Sequence, residues 1–250
     1  MQFTLKIWRQ AGPRAKGYFE RFTLDHVDSD TSFLEMLDML NNQLVKESRE
    51  TIAFDHDCRE GICGACGLYI NGRAHGPDEG ITTCQLYMRR FKDGSEITVE
   101  PFRSGAFPVI KDLVVNRNAF DKILQAGGFV SVNTGSAPEA HTMLVSREKA
   151  EESMDASSCI GCGACVASCK NGSAMLFVAS RVSALSLLPQ GNPEACRRAR
   201  AMVLKMDEQG FGSCTNIGTC QMECPKKITV AHIARLNREF LYCKRSDLQE

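Results

Sequence analysis

The sequence lacks long hydrophobic runs. No stretch of about 18 apolar residues occurs, so no transmembrane helix of its own is expected. The most apolar segment, 174–188, is broken by Ser180, Arg181, Ser183 and Ser186. Net charge is missing too. Thirty Lys and Arg face 30 Asp and Glu in a chain of 250 residues. That balance argues against phosphate-driven nucleic-acid binding, so no nucleic-acid partner is expected. Hydrophobic residues make up 43%, slightly low for a globular chain, so something besides apolar burial is expected to help hold it together. The opening MQFTLKIWRQ has neither a signal-peptide nor a transit-peptide layout. A reducing compartment is therefore expected, where a disulfide framework is not. There is no G-x-S-x-G, no H-E-x-x-H and no Gly-rich nucleotide fingerprint, so no catalytic residue is expected on this chain.

What the chain has in excess is cysteine, thirteen in all. Their place is set by the elements around them. Phe3, Leu5 and Ile7 alternate as in a strand, as do Phe22 and Leu24. Phe33, Leu37, Leu40 and Leu44 follow helical spacing behind possible N-caps at Asp30 to Ser32. Leu68 and Ile70 lead into Asn71-Gly72, a hairpin turn signal. Ile97 and Val99 make a further strand closed by Pro101. After about residue 105 the pattern turns to helices and loops. Helices are expected at 118–125, stopped by Gly127-Gly128, and at 173–188. Another opens at Asn192-Pro193, and a last one behind Thr229. The fold class is thus α+β, with a boundary expected between 1–105 and 106–250.

The first constellation is Cys58-x4-Cys63-x2-Cys66, with Cys84 further on. This is the plant-type spacing of a 2Fe–2S site. Gly61, Gly64 and Gly67 sit where side chains would block close wrapping, and their neighbours' N–H groups are free to bond sulfur. Zinc is the alternative, since it also takes four thiolates. The second constellation is a repeat. Cys159-x2-Cys162-x2-Cys165-x3-Cys169 is echoed 55 residues later by Cys214-x2-Ile217-x2-Cys220-x3-Cys224-Pro225. In the bacterial pattern, three cysteines of a motif serve one cluster and the fourth serves the other. Cys159, Cys162, Cys165 and Cys224 are thereby expected to hold a 4Fe–4S cluster. Cys169, Cys214 and Cys220 are expected to hold a 3Fe–4S cluster, because Ile217 cannot bind iron. Seven cysteines with no His in the repeat suit this split better than tetrahedral zinc. Of the remaining cysteines, Cys196 reads as a small buried hydrophobe on a helix. Cys243 carries no functional reading. The five histidines read as packing or surface residues, and Arg197-Arg198-Ala199-Arg200 as a solvated helix face.

With these motifs in this order, the chain resembles the iron–sulfur subunits of succinate dehydrogenase and fumarate reductase (respiratory complex II). Cys224-Pro225 and the stretch Pro108 to Val115 also carry the resemblance. It implies a β-grasp, plant-type ferredoxin domain followed by an all-α, bacterial-ferredoxin-like domain. It implies a flavoprotein partner with FAD and the dicarboxylate site, and a membrane-anchor cytochrome b subunit with haem b that handles quinone. The chain itself would be peripheral, held at the cytoplasmic face of the membrane. Several positions depart from the family pattern. The gap Cys66-x17-Cys84 is long, and a hairpin around Asn71-Gly72 and Gly76-Pro77 would fill it. Lys170 stands where members commonly have Pro, Thr215 where ubiquinone users have His, and Trp8 is the only Trp. The resemblance then points to menaquinone, and from its low potential to fumarate reduction, with succinate oxidation as the alternative direction. Another flavoprotein oxidoreductase, of glycolate or glycerol-3-phosphate type, is the remoter alternative; such proteins usually carry Cys-Cys pairs, which are absent here.

Overall fold

The computed structural model describes residues 1–136 and 138–246. Its first half is a twisted sheet with one long helix against it. Strands β1 (Phe3–Arg9) and β2 (Tyr18–Leu24) pair antiparallel, with Leu5 opposite Phe22. Helix α1 (Phe33–Lys46) follows. Then come β3 (Leu68–Ile70), β4 (Arg73–Ala74) and β5 (Glu96–Pro101). The sheet order is β2-β1-β5-β3-β4, and β5 runs parallel to β1. Alternation puts Phe3, Leu5, Ile7, Ile97 and Val99 on one face, where they meet Phe33, Leu37, Leu40 and Leu44 of α1. The helix starts where the sequence says it should. Ser32 Oγ accepts from Glu35 N, and Glu35 Oε2 accepts from Ser32 N at 2.8 Å, a complete capping box.

The Asn71-Gly72 turn joins β3 to β4, both turn residues having positive φ (50° and 78°), as a type I′ hairpin requires. The short strands β6 (Val109–Lys111) and β7 (Val114–Val115) form a separate ribbon in the Pro108–Val115 stretch. Its turn carries Asp112, buried with Arg9 at 3.2 Å. Asp112 also accepts from Gln10 N and Ala53 N, both at 3.0 Å, so the ribbon is bolted to the end of β1.

The second half is helical. It comprises α2 (Asn118–Gly127), α3 (Arg147–Ser157), α4 (Ala164–Ala167), α5 (Met175–Ser186), α6 (Ala195–Glu208), α7 (Thr219–Met222) and α8 (Ala231–Ser246). Helix α5 is central, with α3, α6 and α8 against it and α2 against α6. The pattern of apolar residues did not announce α3, because its sequence REKAEESMDAS offers only Ser153 and Ala156 to the interior. Polar contacts hold it instead: Ser153 Oγ donates to Ala184 O at 2.7 Å, and Glu152 pairs with Arg235 at 2.7 Å. Among the described residues the buried apolar side chains form two clusters, one under the sheet and one among the helices. No helix of the described residues is long and apolar enough to cross a membrane.

Two expectations need correction here. Cys196 is half-buried, not a lone core residue: it forms a disulfide with Cys243, which lies 1% exposed on α8, their Cα atoms 5.2 Å apart. Helices α6 and α8 pack side by side, and that packing brings two distant cysteines together. The arginine run is a solvated face only at Arg197 and Arg200, not at Arg198. Arg198 is only 2% exposed, and its guanidinium donates to Gly127 O at 3.0 Å, Gly191 O at 2.8 Å and Phe129 O at 3.2 Å. It serves carbonyls at the end of α2 and before α6 that would otherwise be buried unpaired.

Candidate iron–sulfur cluster sites

The loop between α1 and β3 carries Cys58, Cys63 and Cys66. Backbone N–H groups turn inward onto its sulfurs: Glu60 N at 3.3 Å and Ile62 N at 3.5 Å to Cys58 Sγ, and Ala65 N at 3.4 Å to Cys63 Sγ. Those donors pull the Cys58 thiol down to about 7, since they favour the thiolate. Gly61 and Gly64 have φ of +73° and +75°, so the loop curls as an L side chain would resist. Cys84 sits on a 3-10 turn (Thr83–Gln85) beyond the hairpin, and its thiol stands against Cys66, with Cys63 near enough to raise the Cys66 thiol too. The hairpin therefore accommodates the long Cys66–Cys84 gap. Burial pushes Cys66 up to about 12. Such a thiol ionises only beside a cation, as bound iron would be.

One residue missed by sequence reasoning supports that turn. His75 is buried, and burial holds its imidazole down to about 3, so it is neutral. Its Nδ1 accepts from Thr83 N at 3.3 Å, next to Cys84, while its ring meets Phe102 edge-on at 5.2 Å. A lone His after a turn carries no sequence signal for this role.

The repeat is as plain in the backbone as in the sequence. Gly161 and Asn216 occupy matching positions with φ of 63° and 56°; Gly163 and Gly218 match at 90° and 86°. Each of the latter pair opens a four-residue helix, α4 carrying Cys165 and α7 carrying Cys220. The residues between the matched pairs are Cys162 and Ile217. A Cβ on Gly163 would lie 2.9 Å from the Phe107 ring, so the tight approach also requires glycine there.

The seven cysteines divide between two cavities. One is lined by Cys159, Cys162, Cys165 and Cys224. Its apolar wall includes Ile160, Leu176, Ile228 and the stacked pair Phe120–Phe177, with ring centroids 3.8 Å apart. The other is lined by Cys169, Cys214, Cys220 and Ile217. Asn216 N donates to Cys214 Sγ at 3.4 Å. Burial pushes Cys162 up to about 12 and raises Cys220 and Cys224 as well. Thiol donor sets fit clusters at all three places, with inward N–H groups at Cys58, Cys63 and Cys214 and an apolar wall at the Cys159–Cys224 site. Among the described residues no three His, Cys, Asp or Glu side chains are placed to hold one ion. The thiols surround spaces, not points. Glu223, beside Cys224, reaches the hairpin: its carboxylate accepts from Ala74 N at 3.1 Å and pairs with Arg73.

Comparison with known proteins follows the same division. Residues 4–122 match the model of the 2Fe-2S iron-sulfur cluster binding domain, and residues 155–228 that of the 4Fe-4S dicluster domain. The chain is 26% identical over 242 residues to the succinate dehydrogenase iron-sulfur subunit of Bacillus subtilis, covering 93% of this chain and 90% of that protein. It is 29% identical to the fumarate reductase iron-sulfur subunit of Wolinella succinogenes, covering 91% of each. The same fold occurs in a chain of the Mycobacterium smegmatis Sdh1 complex in the apo form, with a TM-score of 0.72 at 22% identity, covering 95% of this chain and 94% of that one. Domain order and relatives agree: along nearly its whole length the chain is similar to the iron–sulfur subunits of succinate dehydrogenase and fumarate reductase.

Proposed function

We propose that this chain relays electrons between the FAD of a flavoprotein subunit and a quinone handled by a membrane-anchor cytochrome b subunit. The observation that carries the reading is the pair of matched cavities, one walled by four cysteines and the other by three and Ile217. In this reading Cys58, Cys63, Cys66 and Cys84 hold a 2Fe–2S cluster, and Cys159, Cys162, Cys165 and Cys224 a 4Fe–4S cluster. Cys169, Cys214 and Cys220 hold a 3Fe–4S cluster, because Ile217 fills the corner that Cys162 fills in the first cavity. Bound clusters supply one-electron chemistry. The chain's own residues do the rest. The N–H groups of Glu60, Ile62 and Ala65 stabilise sulfur charge, Phe120 and Phe177 keep water from the first cavity, and His75 steadies the turn that presents Cys84.

The units are a β-grasp domain at 1–105 and a bacterial-ferredoxin-like domain at 106–250. The active site for the dicarboxylate lies on the flavoprotein, and the chain sits peripherally at the cytoplasmic face of the membrane. Thr215, Lys170 and the single Trp8 favour a menaquinone partner, and with it fumarate reduction as the working direction.

Low-temperature electron paramagnetic resonance (EPR) on the anaerobically handled protein tests this, with Ile217→Cys beside it. The air-oxidised wild type should show a 3Fe–4S signal, and dithionite a separate 2Fe–2S signal. Ile217→Cys should lose most of the oxidised-state signal and gain about one iron per chain. Bound zinc without acid-labile sulfide would end the reading, and an oxidised wild type that is silent with iron present would end the role given to Ile217.

A further inference from the structure

The two halves meet at the cysteine loops themselves. A Cβ on Gly64, between Cys63 and Cys66, would lie 2.3 Å from Ile160 O and 3.1 Å from Cys162 N. The backbone of the first site thus rests directly on the backbone of the second. One side chain spans that contact. Arg117 lies after β7 at the N-cap position of α2, and its side chain makes no capping bond to that helix. Its Nη1 donates to Gly64 O on one side, and lies 3.3 Å from Gly161 O and 3.2 Å from Cys162 O on the other.

We propose that Arg117 is the positioning residue of this junction, clamping the first and second cysteine loops together and setting a fixed positive charge between their two clusters. The inference rests on the cluster reading above. Three carbonyls from two loops converge on one nitrogen, Nη1, of a guanidinium that stays charged and whose plane fixes where that nitrogen lies. The charge acts on both sites because it touches the backbone of both. A cation beside a cluster favours the reduced, more negative form, so it makes both clusters easier to reduce. The clamp fixes their separation, on which electron transfer between them depends. Arg181 provides an internal contrast. Its Nη2 donates to Cys159 O at 2.9 Å, so it serves the second loop alone.

The test is a potentiometric EPR titration of the cluster-loaded protein in four forms: wild type, Arg117→Gln, Arg117→Lys and Arg181→Gln. Iron and sulfide are counted in each. In Arg117→Gln, reduction of both the 2Fe–2S and the 4Fe–4S cluster should become at least threefold less favourable, a fall of about 30 mV for one electron. In Arg181→Gln only the 4Fe–4S cluster should shift. Arg117→Lys keeps the charge, so both potentials should return to within about 10 mV of wild type, on the same conversion. Its spin–spin broadening between the two reduced clusters should weaken, because the shorter, flexible lysine stem does not reproduce the fixed reach of the guanidinium. If Arg117→Gln fails to load, this broadening alone decides, and broadening as in wild type overturns the clamp. Loaded Arg117→Gln with both potentials unchanged, or with only one shifted, overturns the inference and leaves the cluster reading standing. A wild type without clusters removes that reading itself.

Discussion

The sheet half and the helical half reach stability by different means. Under the sheet, Phe3, Leu5, Ile7, Phe33, Leu37, Leu40 and Leu44 are all fully buried and pack hydrocarbon on hydrocarbon. Among the helices there is an apolar cluster too, but seven cysteines turn toward two hollows beside it. Thiols turned toward one another there gain little until a bound metal centre bonds them. Both halves bury an apolar cluster, and the helical half carries in addition seven thiols whose stabilising contribution depends on what they bind.

Iron removal should break this comparison most visibly. A chelator with mild reductant should leave amides of β1 and α1 protected in hydrogen exchange. Amides of α5, α6 and α8 should lose most of their protection, by a factor of 100 or more, or about 2.7 kcal/mol. Equal loss in both halves would show that the sheet also leans on its cluster loop. A smaller effect comes from the Cys196–Cys243 link, which closes a separation of 47 residues within the helical half. Cys243→Ser should lower stability there by about 2–4 kcal/mol and leave the sheet half unchanged. Alkylation of the denatured, unreduced protein should modify 11 of the 13 cysteines in wild type, and all 13 only after reduction. Modification of all 13 before reduction would remove the link from the account.

The same contrast explains what could be read in advance. The alternating strands, the spacing of α1 and the Asn71-Gly72 turn are local patterns, and each forms where its residues place it. The cysteine repeat is legible because cluster geometry fixes spacing along the chain. What escaped reading is held by contacts remote in sequence. Helix α3 is anchored through Ser153 and Glu152 to α5 and α8. Arg198 looked solvated until its carbonyl partners at 127, 129 and 191 came to it. Cys196 and Cys243 meet only because α6 lies on α8, and Arg117 bridges loops that a linear reading keeps about 95 residues apart.

The smallest effect sharpens the comparison from the side of the sheet. If that half depends on ordinary local devices, trimming one should cost an ordinary amount. Ser32→Ala removes the acceptor for Glu35 N and should cost about 1 kcal/mol. The other arm of the box titrates. Hydrogen bonds from Ser32, backbone first, hold the Glu35 carboxyl below its usual value. A depressed carboxyl contributes stability above its unfolded value, and the contribution fades as pH falls through the folded one. Wild type should thus lose a little of its sheet-half stability as pH drops below the ordinary glutamate range near 4.3. Glu35→Gln keeps an acceptor for Ser32 N but has no charge to lose, so it should be less sensitive there. Urea denaturation followed by exchange at the α1 amides, at pH 7 and about pH 4, reads both effects. A Ser32→Ala cost appearing at α5 and not at α1 would mean that the two halves share one cooperative unit, and the contrast between them would fall.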